Sequence, residues 1–175
     1  VRALVNCVSK GGNLLLNVAP DPSGRISRAQ AEPMEQLGQW LARNGESIYG
    51  AGQADFPKPE WGRFTQNGKH LYAHLLEPAI GHITLPNLRG RVKNGRVLAT
   101  GNEAILTDFW NPGVQTFDSP DDIFFNFGKP VAWTFDRPDL LDTVVRFELT
   151  SDDEHARLLA DYQRRLAQSL ERKSY

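Results

Sequence analysis

Apolar and polar residues along this chain follow three patterns in succession. Val1, Leu4, Val5 and Val8 recur at i, i+3, i+4 and i+7, which is one face of a helix. Lys10 followed by Gly11 is a normal helix ending. Leu14 to Ala19 then form a nearly continuous apolar run, interrupted only by Asn17. Gly11-Gly12 stands before the run and Pro20-Asp21-Pro22-Ser23-Gly24 after it. A short apolar run between such breakers predicts a strand buried on both faces, over Leu14 to Val18. Strands of that kind belong to parallel sheets covered by helices, and their neighbours come from crossover units. Ser27-Arg28-Ala29-Gln30 has capping-box spacing. Met34, Leu37 and Leu41 continue with helical spacing to Asn44-Gly45. Pro33 falls beyond the first turn, where it removes a backbone hydrogen bond and predicts a kink. Val1 to Asn44 therefore reads helix, strand, helix.

The pattern changes after Gly52. Ala51 to Pro59 is rich in Gly, Pro and polar residues and reads as a connection. Arg63 to Gln66, Asn67-Gly68 and Lys69 to Leu76 predict a hairpin with a type I′ turn. Ile83 to Leu85 is a short strand ended by Pro86. Asn94-Gly95, between Val92 and Val97-Leu98, predicts a second turn. Ala104 to Trp110, Ile123 to Phe127, Val131 to Phe135 and Thr143 to Leu149 supply further strands. Short strands separated by turns predict an antiparallel sandwich. Beyond Thr150, Ser151-Asp152-Asp153-Glu154 opens another helix with acid at its start. Leu158, Leu159, Tyr162, Leu166 and Leu170 stripe one side of it, and Arg164, Arg165, Arg172 and Lys173 load its end with base. One stripe needs one partner surface, so the helix is expected to dock on the sandwich, with self-association as the alternative.

Composition narrows the classes. The 175 residues hold one domain, or one plus part of another. A hydrophobic share of 40% and a charged share of 23% fit an ordinary globular chain. A net charge of -1 argues against a phosphate-tracking surface, hence against nucleic acid. No apolar run approaches the roughly 20 residues of a membrane span. Cys7 is the single cysteine, so no internal disulfide can form; inside a helix it reads as packing. The chain starts at Val1, already inside a helix, which is expected of a processed or truncated product. One parallel strand cannot close a sheet, so its neighbours are expected to have been cut away or to sit on another chain.

VSKGGNLLLNVAPDPSGRI, followed by LGQWLARNGESIYG at Leu37 to Gly50, resembles the end of the catalytic barrel of α-L-fucosidases of glycoside hydrolase family 29. WGRFTQNGKHLYAHLLE and DTVVRFELT resemble, more loosely, the C-terminal β-sandwich of that family. The resemblance implies the last βα unit of a (β/α)8-type barrel over residues 1–52. It implies an all-β antiparallel sandwich over residues 53–150; residues 151–175 form a C-terminal helix that looks like an addition. It implies hydrolysis of terminal α-L-fucosyl residues with retention, through a covalent glycosyl-enzyme intermediate and without a cofactor. That chemistry takes two carboxyl groups about 5–5.5 Å apart. The family's nucleophilic Asp, its acid/base Glu and the His residues that hold fucose all precede the matching motif. The resemblance therefore assigns no catalytic residue to this chain. It implies a fucosylated glycan as substrate and, as partner, a complementing chain carrying the rest of the barrel or a second copy. The alternative is a non-catalytic carbohydrate-binding or structural sandwich that acts alone.

Local candidates are few. Asp21 follows the predicted strand at its carboxyl end, the catalytic rim of a barrel, but Asp between prolines and before Ser-Gly is first a turn former. Asn17 could face inward near that rim or make a hydrogen bond inside the barrel. Asp121-Asp122 reads as a turn before a strand, and Glu46 as surface or as a contact between barrel and sandwich. His70 and His74 lie at i and i+4 on one strand face, about 13 Å apart by strand rise. That separation is too long for one zinc ion, and no metal site is expected. Trp61, Trp110 and Trp133 read as core packing before sugar stacking.

Overall fold

The computed structural model describes residues 1–110, 120–128 and 137–173, with the side chains of Ser169, Leu170, Arg172 and Lys173 outside that set. The strand expected over Val131 to Phe135, with Trp133, lies outside the described residues.

Helix α1 (Arg2–Val8) buries Val5 and Val8, two of its four predicted face positions, and packs Val1 and Leu4 beside them. Its end is fixed by Gly11 at φ +74. Gly12 N–H donates to Cys7 O at 2.9 Å and Gly11 N–H to Val8 O at 2.9 Å, the two bonds of a Schellman ending. Helix α2 (Arg28–Asn44) runs through Pro33 and leads into a 3₁₀ turn at Gly45–Ser47. The expected capping box does not form at its start. Ser27 makes no side-chain capping bond, and Gln30 instead accepts from Ala19 N–H at 3.0 Å.

Among the described residues eight strands follow: β1 (Gly52–Gln53), β2 (Gly62–Asn67), β3 (His70–Leu75), β4 (Ile83–Leu85), β5 (Val92–Val97), β6 (Glu103–Thr107), β7 (Ile123–Asn126) and β8 (Thr143–Leu149). They make one antiparallel sheet in the order β1-β2-β3-β8-β5-β6-β7-β4. Strand β6 divides its pairing. Glu103 and Ala104 face β5, whereas Ile105, Leu106 and Thr107 face β7. The sheet folds over at that strand, so its two leaves are halves of one antiparallel half-barrel. Leu71, Ala73 and Leu75 of β3, Val145 and Phe147 of β8 and Phe125 of β7 meet in one core between the leaves. Phe125 stands edge-on to Phe147 at 5.2 Å and to Trp61 at 6.4 Å. Trp61 also donates from Nε1 to Thr84 O at 2.7 Å, so this indole is core. The opposite face of β3 and β8 carries Tyr72 and Val144, covered by Val5, Val8, Trp40 and Ile48. Strand β3 is thus buried on both faces.

Helix α3 (Asp152–Lys173) starts with the predicted reciprocal cap. Ser151 N–H donates to Glu154 Oε2 at 3.0 Å and Glu154 N–H to Ser151 Oγ at 3.3 Å. It docks on the sheet domain as expected. Tyr162 is buried under the Arg89 guanidinium, 3.7 Å from Cζ to ring centre, and Arg165 pairs with Asp108 at 2.6 Å.

Three local expectations need correction. The hairpin pairs Asn67 with His70, so its two loop residues are Gly68 and Lys69. Only Gly68 has positive φ there, the type II′ arrangement rather than type I′. Asn94-Gly95 is not a turn. It lies within β5, where the register against β8 slips between Lys93 and Arg96 and Asn94 takes φ 52. That is a bulge. A Cβ on Gly95 would stand 2.6 Å from Phe147 and 2.7 Å from Ala104 O, so close sheet packing explains this glycine. Finally, Leu14 to Val18 forms no strand and has no strand partner among the described residues. A parallel strand owes its ladder to its neighbours, and here none lies beside it.

Candidate functional site

The segment expected to carry a catalytic rim is a loop between α1 and α2. Asn17 is exposed on it. Asp21 is a turn former. Its Oδ1 accepts from Ser23 N–H at 2.8 Å, Ser23 Oγ–H at 2.5 Å and Arg25 N–H at 3.1 Å. Those bonds, with Ser23 the strongest, hold the Asp21 carboxyl below the usual carboxylate range. An ionised carboxylate turned onto its own loop is a poor proton donor. Asn17 and Asp21 are not brought together with any other candidate.

The second acidic pair is also structural. Asp122 Oδ1 accepts from Asn87 N–H at 2.8 Å, and the Asp121 carbonyl accepts from Arg89 N–H at 2.9 Å. Glu46 pairs with Arg146 of β8 at 3.0 Å and ties the 3₁₀ turn to the sheet. Trp110 donates from Nε1 to Ile80 O at 3.1 Å. His82 Nδ1 lies 2.8 Å from Phe109 O.

One constellation has the residue types of a hydrolytic relay, and sequence reading missed it. His74 Nδ1 lies 2.6 Å from Asp142 Oδ2, and His74 Nε2 lies 3.0 Å from Thr65 Oγ1. Thr65 donates its hydroxyl proton to Ser47 O at 2.7 Å. A hydroxyl has one proton, so His74 must donate from Nε2. The hydroxyl is therefore not activated as a nucleophile. Thr65, His74 and Asp142 are fully buried, so no substrate reaches them. Trp40 adds a bond from Nε1 to Asp142 O at 3.2 Å. The network joins α2, the 3₁₀ turn, β2, β3 and the approach to β8. It clamps the helical layer to the sheet. The sequence signal was a second His, His74, on the β3 face that carries His70 and Tyr72.

What the N-terminal segment offers instead is apolar surface. Leu15, Leu16, Val18 and Ile26 are exposed, with Leu15 86% accessible.

Comparisons with known proteins agree with this geometry. A family model described as alpha-L-fucosidase matches residues 1–46. The plasma alpha-L-fucosidase of Homo sapiens is 40% identical over 91 residues, covering 49% of this chain and 20% of that protein. The structure of alpha-L-fucosidase isoenzyme 1 from Paenibacillus thiaminolyticus superposes with a TM-score of 0.76 at 43% identity. It covers 86% of this chain and 34% of that one. An alpha-fucosidase from Thermotoga maritima superposes with a TM-score of 0.62 at 28% identity, over 83% of this chain and 32% of that one. The fold and sequence thus align with glycoside hydrolases. Within that class the chain is similar to α-L-fucosidases, by the family model over residues 1–46 and by the solved structures over most of its length. It spans about a fifth of the curated relatives' length and a third of the solved ones.

Proposed function

We propose that this chain is the C-terminal portion of an α-L-fucosidase, a retaining exo-glycosidase acting on terminal α-L-fucosyl residues of glycoconjugates. Residues 1–52 are the end of its catalytic (β/α)8 barrel, 53–150 its C-terminal β domain, and 151–175 an additional helix. The observation that carries this reading is the 43% identity to the Paenibacillus enzyme, which runs through helices and sheet while spanning 34% of that protein. The bare apolar surface at Leu15, Leu16 and Val18 supports it. On this reading Leu14 to Val18 is the last strand of the barrel, and its neighbours are on a complementing chain. Pairing with a second copy through the same edge is the other way to cover it.

Retention needs a nucleophile and an acid/base about 5–5.5 Å apart. The carboxylates of Asp21 and Asp122 hold a loop or a neighbouring backbone, so both catalytic groups belong to the missing portion. The fucosylated glycan then binds mainly there, with Asn17 and Asp21 the residues of this chain at or near the rim. An aryl α-L-fucoside tests the reading. The 175-residue chain alone releases no phenol, and adding a chain that carries the first seven barrel strands restores release. Release by the homogeneous chain alone overturns the reading.

A further inference from the structure

We infer that the uncovered part of the sheet's outer face is a second, non-catalytic ligand site for a neutral polyhydroxylated molecule, that is, a saccharide. A cleft of about 430 Å³ lies there, lined by His70, Asn94, Gly95, Arg96, Glu103, Arg146 and Glu148. Its floor is a cross-strand row. Arg146 of β8 faces Arg96 of β5, and Arg96 faces Glu103 of β6. Arg96 and Arg146 are directly opposed like charges, a pairing that destabilises a sheet. Arg146 is held by Glu46, but neither Arg96 nor Glu103 makes an ion pair among the described residues. Two forks of opposite sign therefore stand side by side, free to bind.

The surroundings fix the floor. Glu148 takes Lys69 at 3.1 Å and Lys93 at 3.8 Å, and Lys93 reaches Glu154 of α3 at 2.9 Å. Arg146 is tied through Glu46 to the 3₁₀ turn on the other flank. The Asn94 bulge interrupts the β5–β8 ladder at the cleft, where bulges re-aim side chains. Ligand class follows from charge. Arg96, Arg146, Lys69 and Lys93 balance Glu103, Glu148, Glu46 and Glu154, so neither an anion nor a cation meets a net field. What remains is a dense array of donors and acceptors, suited to vicinal hydroxyls.

The inference does not depend on the hydrolytic reading, and its test does not measure hydrolysis. The full chain is applied to an oligosaccharide array. It is also followed by ¹⁵N-resolved NMR during titration with the best array saccharide and, separately, with sodium sulfate. The expected result is a saturable saccharide response centred on the Asn94, Gly95 and Arg96 amides, with none from sulfate. Arg96→Ala and Glu103→Gln, both at exposed positions, should each weaken it roughly tenfold to a hundredfold, the loss of hydrogen bonds to a charged group. No array signal with no movement of these amides overturns the inference. So does saturation by sulfate while every saccharide leaves them unmoved.

Discussion

Two leucine-rich stretches of this chain meet opposite fates. Leu71 and Leu75 on β3 are 0% and 1% exposed, while Leu15 and Leu16 are 86% and 50% exposed. Strand β3 has β2 on one side, β8 on the other, the sheet core beneath and the helical layer above. Leu14 to Val18 has a comparable apolar sequence and none of those neighbours. Local sequence therefore sets what a segment can bury, and topology decides whether it does. Among the described residues every strand of the sheet domain is paired, while the loop between α1 and α2 leaves Leu15, Leu16 and Val18 exposed.

The largest effect is expected where the two regions are joined. Asp142→Ala leaves His74 buried without its charge-assisted partner, and breaking a buried pair costs about 3–5 kcal/mol. Denaturant unfolding measures it, and a loss below about 1 kcal/mol would show that the network does not clamp the helices to the sheet. Next comes sheet packing. Gly95→Ala should cost about 1–3 kcal/mol, because the new methyl meets Phe147 and the Ala104 carbonyl. Unchanged stability there would mean that the bulge is free to relax.

These two sites also show what could be read in advance. The hairpin around Asn67-Gly68 was legible because its partner strand is adjacent in sequence. The same dipeptide at Asn94-Gly95 was misread, because the reason for glycine is Phe147, 52 residues on (147 less 95). The clamp joins Thr65, His74 and Asp142 across 68 residues between its last two members, and no local pattern announces it. The helix faces and the α3 cap were legible because helical contacts and capping bonds are local. The apolar run at Leu14 predicted a buried strand, but no neighbour for it lies among the described residues, and Leu14 to Val18 forms none. The bare cleft on the outer face gave no sequence signal, since its charges come from three strands.

Smaller effects sharpen the contrast. Leu15→Ser should change the stability of the isolated chain by no more than about 0.5 kcal/mol, since nothing here packs on that side chain. The same substitution should abolish recovery of fucosidase activity with a complementing chain. A large destabilisation of the isolated chain would show that Leu15 is covered after all. The smallest effect is electrostatic. Lys93, and then the Ser151 N–H, hold the Glu154 carboxyl down at about 2 from its ordinary 4.5. A depressed acid contributes its stabilisation above pH 4.5 and loses it as pH falls from there through about 2. Carbon-detected NMR of the Glu154 side chain should titrate near pH 2, and Lys93→Met should move the midpoint upward.

Hydrogen exchange at the Leu14 to Val18 amides tests the central claim most directly. The account predicts fast exchange in the isolated chain, beside slow exchange for Leu71 to Leu75. It predicts strong protection once a chain carrying the rest of the barrel is added. Strong protection in a monomer of the isolated chain, or recovery of fucosidase activity with these amides still unprotected, would contradict it.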